Sequence, residues 1–302
     1  MRKKVVFMGS PEFSLPSLSA LINYYQIVGV VTQPDRPSGR GKVISAPPVK
    51  KLAEQLQIPV IQPKRLRDNG VFDQLSSWNP DLIVVAAFGQ ILRQNVLDLP
   101  PFGCINVHGS LLPRWRGAAP IQAAILHGDR ISGVTIMKMD AGIDTGELLS
   151  QRSIVLEANE TTETLTSKLA HLGADMLLGT LDDYLNGISI PKRQDSALAT
   201  YAPQIKKEDG LLDPSKRAIE LERQVRAFTP WPGSFLMVEG ERIKVISAKV
   251  EPAVGMALGQ RIILHDYPAL VTAEGALLIT MLQLAGKKPM SGKDFLLGFK
   301  RW

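Results

Sequence analysis

Residues 81–89, DLIVVAAFG, and residues 104–108, CINVH, decide how this chain folds. The first stretch is apolar without interruption, which is typical of a parallel strand covered on both faces of a sheet. The second alternates apolar residues with Asn106 and His108, which stand two residues apart and therefore project to the same side of a strand. We expect two buried strands, the second presenting an amide and an imidazole together where it ends.

Further apolar runs place other elements around these two strands. Strand-like and helical segments alternate through the first half, a rhythm that predicts right-handed crossovers and an α/β fold with a doubly wound, mostly parallel, Rossmann-like sheet. The strand segments are 3–9, 27–32, 58–63, 81–89, 104–108 and 133–139, and the helical segments are 13–25, 49–57 and the long amphipathic 165–181.

The second half contains short strand-like runs separated by turn residues, a pattern that predicts a small barrel or sandwich. These runs are 240–250, 259–267, 269–273 and 275–285, preceded by a short helix around 215–228. A polar, proline-broken stretch separates the halves. We assign residues 1–188 to a catalytic domain, 189–206 to a linker and 207–302 to a second, smaller domain.

Composition excludes several classes of protein. The 302 residues contain one cysteine, Cys104, which rules out an internal disulfide and a cysteine metal cluster. No run is apolar for the eighteen or so residues of a membrane helix, and the apolar run that opens the chain is too short for a signal peptide, so we expect a cytoplasmic protein. The net charge of +6 is modest, but residues 34–51 hold five basic side chains and one acidic one. Such a basic stretch either solubilises a surface loop or binds phosphates.

Ligands of doubly wound sheets bind beyond the carboxyl ends of the strands. Residues 88–92, 108–113 and 140–146 follow the fourth, fifth and sixth strands, so we expect them to gather at one edge. The first strand–helix turn lacks the G-x-G-x-x-G spacing, so a dinucleotide site is not predicted.

An amide and an imidazole at a strand end can polarise a carbonyl and move a proton, which points to acyl-type transfer. Asp140 and Asp144 lie in a glycine-punctuated loop, where aspartate is usually a turn former. Together with Asn106 and His108, however, Asp144 is better interpreted as a carboxylate that orients the histidine. Ser110 also suggests a Ser–His–Asp hydrolase, but the G-x-S-x-G elbow is missing.

Five motifs resemble those of the methionyl-tRNA formyltransferase family. They are INVHGSLLPRWRGAAPIQAAILHGD (105–129), GVTIMKMDAGIDTGELL (133–149), PDRPSGRGK (34–42), AFTPWPGSF (227–235) and LQLAGKKPMSGKDF (282–295). The resemblance runs from Val5 to the terminus. It departs from the family at Phe88, where tyrosine is frequent, and at residues 211–213, which replace a segment that often bears tryptophan.

The resemblance implies transfer of a formyl group from 10-formyltetrahydrofolate to the amino group of methionine on initiator tRNA, by a monomer that needs neither a metal nor a membrane. It implies an OB-like second domain that binds tRNA. Asn106, His108 and Asp144 match the catalytic positions. The residues expected to contact the folate are Ser110, Leu111, Leu112, Pro113, Phe88, Gly89, Ile91, Leu92, Asp140 and Gly142, and those expected to contact tRNA are Arg36, Arg40 and Lys42.

Two other functions stay open on the sequence. One is the same chemistry on a small substrate, a sugar-nucleotide or purine-precursor amine, or hydrolysis of the formylfolate. The other is an RNA-binding module whose transferase site is vestigial. The basic loop and the second domain disfavour the first, and the joint presence of Asn106, His108 and Asp144 disfavours the second.

Overall fold

A computed structural model describes residues 2–38, 43–299 and 302. Arg40 and Lys42, two of the expected tRNA-binding residues, lie outside this part of the chain. The described residues form two compact units. The first contains residues up to Pro120 together with Ile131–Val155 and Thr166–Ala202, and the second contains Ile121–Arg130, Leu156–Leu165 and Pro203–Trp302.

The elements of the first two thirds alternate largely as predicted. The strands are β1 (Lys4–Gly9), β2 (Gln26–Val31), β3 (Arg36–Ser38), β4 (Val43–Ser45), β5 (Val60–Ile61), β6 (Leu82–Ala86), β7 (Cys104–His108), β8 (Arg116–Gly117), β9 (Ile131–Lys138), β10 (Leu148–Val155) and β11 (Tyr201–Ala202). The helices are α1 (Leu15–Tyr24), α2 (Pro48–Gln55), α3 (Val71–Ser77), α4 (Gln94–Leu97), α5 (Pro120–His127) and α6 (Thr162–Leu185). The hairpin of β3 and β4 and the short pair of β8 and β11 were not expected.

In the described part of the first unit, seven strands form the main sheet in the order β10-β9-β7-β6-β1-β2-β5. The pairs from β7 to β5 are all parallel, which confirms the mostly parallel, doubly wound sheet. The strand order reverses between β1 and β6, and in such sheets the crevice at this reversal is where ligands bind. Side chains of β1, β2, β6 and β7 are buried among apolar neighbours and form the core.

One expectation about this sheet is wrong. β9, the predicted sixth strand, runs antiparallel to β7, with His108 opposite Thr135 and Ile105 opposite Lys138. The loop after β9 therefore starts at the opposite edge from the loops after β6 and β7. Hydrophobic periodicity gives the burial of a strand but not its direction, and antiparallel edge strands are common on otherwise parallel sheets.

The second unit is built on an antiparallel sheet, which confirms the OB-like class. Its elements are α7 (Ala218–Ala227), β12 (Ser234–Val238), β13 (Glu241–Glu251), β14 (Arg261–Leu264), β15 (Tyr267–Val271), β16 (Ala276–Leu284), β17 (Met290–Ser291) and α8 (Gly292–Gly298). Among the described residues the strand order is β12-β13-β16-β15-β14, with β17 on β16. Ser291 caps α8 by accepting from the amide of Asp294 at 3.1 Å, and Phe295 of α8 is fully buried in the core.

The segment assigned to a linker is bonded to the first unit as far as Ala202. β11 pairs in parallel with β8, and Lys192 exchanges backbone hydrogen bonds with Leu148. Composition predicted the polarity of this segment correctly, but polarity does not reveal hydrogen bonds to backbone groups elsewhere in the chain. The boundaries at residues 188 and 207 stay a proposal.

Candidate active site

The carboxyl end of β7 holds the amide and the imidazole that the sequence singled out. Asn106 and His108 are 8% and 6% exposed, so both polar side chains are nearly buried. β7 lies between β6 and β9, with Asn106 opposite Val85 on one side and Met137 on the other. Because buried strands on both sides fix the backbone of β7, both side chains start from a rigid base.

The side-chain amide of Asn106 has no hydrogen-bond partner among the described residues. Among the described residues, the fully buried side-chain polar atoms that lack a partner are the hydroxyls of Ser17 and Ser76, so the Asn106 amide keeps some contact with solvent. An unpaired amide at a strand end beside a histidine is therefore free to donate to a ligand atom. This is the geometry required of a donor that stabilises an oxyanion.

Both ring nitrogens of His108 face acceptors. Nε2 lies 3.1 Å from the carbonyl oxygen of Trp115, and Nδ1 lies 3.7 Å from Oδ1 of Asp144. A carbonyl oxygen only accepts, so Nε2 is the donor in its bond to Trp115, and Nδ1 faces the Asp144 carboxylate. The 3.7 Å separation exceeds hydrogen-bond length, so the carboxylate acts on the ring by its charge at this distance.

Asp144 is held from two sides although its loop begins at the far edge of the sheet. Its Oδ2 accepts from the backbone amide of Gly117 at 2.8 Å. Its own carbonyl accepts from the side chain of Gln194 at 2.8 Å. The expected approach of Asp144 to His108 is present, and it depends on how the loop of residues 139–147 turns back rather than on the end of a parallel strand.

The turn after β7 is fixed by a buried hydroxyl. The Oγ1 of Thr135 donates to the carbonyl of Ser110 at 2.6 Å and accepts from the amide of Leu112 at 3.0 Å. Gln151 donates to the same hydroxyl at 2.9 Å and to the carbonyl of Leu112 at 2.8 Å. The Oγ of Ser110 is itself buried and donates to the carbonyl of Arg114 at 2.6 Å. Ser110 therefore shapes the turn through its hydroxyl.

The other residues expected to contact a folate fall into different environments. Phe88 and Leu92 are buried in the core of the first unit, whereas Ile91 is 75% exposed. Gly89 adopts a positive φ of 78° in the loop after β6. Asp140 organises its own loop by accepting from the amide of Gly142 at 3.0 Å and from the hydroxyl of Thr145 at 2.7 Å. Leu111 and Pro113 are half-buried, and Leu112 is buried.

The base of the β3–β4 hairpin carries an ion pair. Nζ of Lys50 lies 2.8 Å from Oδ2 of Asp35, and Nε2 of Gln62 donates to the other oxygen at 2.6 Å. These two donors, Lys50 first, lower the pKa of the Asp35 carboxyl. Arg36, which begins the hairpin, is exposed and donates to the side chain of Gln33 at 3.1 Å.

The single cysteine of the chain is a buried core residue. Burial, with a smaller contribution from Asp98, raises the pKa of the Cys104 thiol to about 12, so that cysteine stays a protonated core residue.

Within the described ranges, no group of three or more His, Cys, Asp or Glu side chains is arranged to hold a metal ion. No helix in those ranges has the length and apolar character needed to cross a bilayer.

Sequence reasoning missed three contributors to this site: the Trp115 carbonyl, the Gly117 amide and the Gln194 side chain. The first two are backbone groups, which almost every residue type has, so the sequence does not single them out. Gln194 lies in a polar stretch where a glutamine is unremarkable by itself.

Comparison with known proteins gives a consistent result. A formyl transferase family model matches residues 3–181, and a model of the formyl transferase C-terminal domain matches residues 204–300. The chain is 47% identical over 300 residues to the methionyl-tRNA formyltransferase of Citrifermentans bemidjiense, covering 98% of this chain and 94% of that protein. It is 46% identical over 304 residues to the methionyl-tRNA formyltransferase of Myxococcus xanthus, covering 99% and 96%.

A solved structure shares the fold. The N-formyltransferase from Helicobacter canadensis, solved in complex with folinic acid and dTDP-3-aminofucose, matches with a TM-score of 0.67 over 92% of this chain and 98% of that chain. At 17% identity this likeness concerns the fold alone.

Proposed function

Because this chain belongs to the methionyl-tRNA formyltransferase family and formylates methionyl-tRNA, we propose that Asn106, His108 and Asp144 carry out the transfer with 10-formyltetrahydrofolate as the formyl donor. The observation that supports this assignment most strongly is the unpaired, nearly buried amide of Asn106 on the strand that also bears His108. The acceptor is the amino group of methionine on initiator tRNA.

Asn106 acts on the formyl oxygen. When the amine nitrogen bonds to the formyl carbon, the carbonyl oxygen gains negative charge, and the Asn106 amide donates to it. A donor of this kind is worth about 2.7–4 kcal/mol in other enzymes. The bond strengthens because the oxygen gains negative charge, and the Asn106 amide breaks no bond to the protein to form it.

His108 moves the proton. The attacking nitrogen must lose a proton, and the folate nitrogen that leaves must gain one when its bond to the formyl carbon breaks. His108 accepts the first proton and returns it to the leaving nitrogen, which requires the ring to turn one nitrogen from its present acceptor toward the substrate. Asp144, 3.7 Å from Nδ1, stabilises the positive charge that the ring carries between these steps.

The folate occupies the carboxyl edge of the main sheet. The loop after β6 and the turn of residues 110–113 adjoin there, because β6 and β7 are parallel neighbours. Their exposed or half-buried members, Ile91, Leu111 and Pro113, offer apolar contacts to a flat ring, while the hydroxyl of Ser110 acts by shaping the turn. The solved relative bound to folinic acid supports a reduced folate as the donor.

The tRNA contacts come from the basic hairpin and the second unit. Arg36 is exposed at the start of the hairpin, and Arg40 and Lys42 belong to the same basic stretch. Phosphate contacts weaken with salt, so Arg40→Ala should raise the Kd for tRNA and flatten its salt dependence. The protein works where aminoacylated tRNA is made, in the cytoplasm. That it is a monomer is expected from the family and stays a prediction.

A formyl-transfer assay with labelled 10-formyltetrahydrofolate tests the proposal. We expect fast transfer to initiator methionyl-tRNA and slow transfer to methionyl elongator tRNA. A nucleotide-linked amino sugar, the acceptor that the alternative function requires, should be a poor substrate. Equal or faster formylation of the amino sugar would overturn the assignment of the acceptor.

A further inference from the structure

Gln194 lies in the segment assigned to a linker, yet its side chain reaches the loop that carries Asp144. Its Nε2 donates to the backbone carbonyl of Asp144 at 2.8 Å and to that of Gly146 at 2.7 Å. Its Oε1 accepts from Nε and Nη2 of Arg116 at 3.1 and 2.8 Å. Every donor and acceptor position of this amide is therefore used.

The orientation of the Gln194 amide is fixed by its partners. The guanidinium of Arg116 only donates and the two carbonyls only accept, so a flipped amide would lose all four bonds. Arg116 is 2% exposed, and its charge strengthens the bonds to Gln194. The nearly buried guanidinium of Arg116 thus orients the Gln194 amide, and this amide in turn binds the loop that carries Asp144.

The loop that carries Asp144 contains a backbone conformation that its surroundings must stabilise. Asp144 has a φ of 51°, a left-handed conformation that aspartate adopts more readily than most residues but that is still uncommon outside glycine. Such conformations persist where the surroundings enforce them. The amide of Gly117 binds the Asp144 carboxylate, and Gln194 binds the backbone of the same residue.

We propose that Gln194 is a positioning residue for formyl transfer, which keeps the Asp144 carboxylate beside Nδ1 of His108. The proposal rests on the proposed function, because it gives Gln194 an effect only through Asp144. Gln194 touches no substrate. Its loss should slow the reaction without weakening the binding of either substrate.

Two variants separate the two sides of the amide. Gln194→Met removes all four bonds, whereas Gln194→Glu keeps the acceptor for Arg116 and loses the donors to the loop. A displacement of about 1 Å can cost about 10²-fold in rate, so each variant should lower kcat by about 10- to 100-fold. The KM for formylfolate and for methionyl-tRNA should change less than about twofold. Wild-type kcat in Gln194→Glu would overturn the proposal, and this variant decides if Gln194→Met does not fold.

Asp195→Ala is the matched control. Asp195 is adjacent and exposed, and its carboxylate accepts from the amide of Ala197 at 3.0 Å within the same segment. Its loss loosens the segment without touching the loop of Asp144, so kcat should stay within about twofold of wild type. A fall as large as that of Gln194→Met would mean that general loosening, and not positioning, explains the effect.

A double-mutant cycle with Asp144→Asn completes the test. If Gln194 acts through Asp144, Asp144→Asn with Gln194→Met should be no slower than Asp144→Asn alone. Additive losses would overturn the positioning role and leave the proposed function intact. Wild-type kcat in Asp144→Asn would instead refute the catalytic assignment of Asp144, and the positioning role with it.

Discussion

Replacing Asn106 with alanine should lower activity while leaving the free energy of unfolding nearly unchanged. The amide is nearly buried and has no partner among the described residues, so its removal breaks no internal hydrogen bond. Solvent reaches the amide, so truncation to alanine removes only the packing of a few side-chain atoms. We therefore expect the free energy of unfolding to change by no more than about 0.5 kcal/mol.

Activity should change far more. Loss of one oxyanion donor lowers kcat by about 10²–10³-fold, equivalent to about 2.7–4 kcal/mol. Asn106→Asp, which keeps the shape of the side chain but places a negative charge beside the developing oxyanion, should be at least as slow. Binding of methionyl-tRNA should stay close to wild type in both variants, because the amide acts only as charge develops.

The assay pairs single-turnover formyl transfer with urea unfolding. Gln151→Ala is the contrasting control, since that amide has two protein partners, at 2.8 and 2.9 Å, and should lose about 1 kcal/mol of stability. The reasoning is refuted if Asn106→Ala is destabilised as much as Gln151→Ala. It is also refuted if kcat of Asn106→Ala falls less than about fivefold.

Three further predictions follow from contacts around the site and the hairpin. His108→Ala should lower kcat by about 10²–10⁴-fold, and adding Asp144→Asn should cost no more in single-turnover measurements, because the carboxylate acts only on the ring; additive losses would contradict this. Gly117→Ala should lower both stability and kcat, since the residue has a φ of 117° and its new Cβ would lie 2.6 Å from the Ala202 carbonyl oxygen. The control is Gly187→Ala, also at positive φ but with open space around it, which should keep normal kcat. Equal losses of kcat in the two variants would argue against a steric effect at Gly117. Asp35→Asn should destabilise the protein at neutral pH, because hydrogen bonds from Lys50 and Gln62 lower the pKa of the folded carboxyl. The difference in unfolding midpoint between the variant and wild type should shrink as pH falls below the usual aspartate pKa of about 3.9 and through the lower folded pKa. A difference that grows as the pH falls would contradict the stabilising ion pair.

The strand that bears the site could be predicted from the sequence, because burial and the alternation of side chains produce a recognisable pattern of apolar residues. The uninterrupted apolar run before Phe88 predicted a covered strand, and the alternation around Asn106 and His108 predicted two polar groups on one side. Periodicity also identified the sheet class and the short strands of the second unit.

The remainder of the site depends on features that residue types do not encode. The direction of β9 could not be read from its pattern, so the path that brings Asp144 to His108 was predicted for the wrong geometric reason. Phe88 and Leu92 pack into the core of the first unit, and the folate contact that the family resemblance implies for them stays a prediction. Gln194 was overlooked because its role depends on two carbonyls some 50 residues away in the chain.

The distance from Nδ2 of Asn106 to the formyl oxygen tests the central claim most directly. It can be measured in a crystal structure of the protein with a formyltetrahydrofolate analogue that cannot transfer its formyl group. We predict a separation of about 2.7–3.1 Å, the range of an oxyanion donor. A formyl oxygen beyond hydrogen-bond reach, with the Asn106 amide bonded to a protein carbonyl instead, would contradict the account.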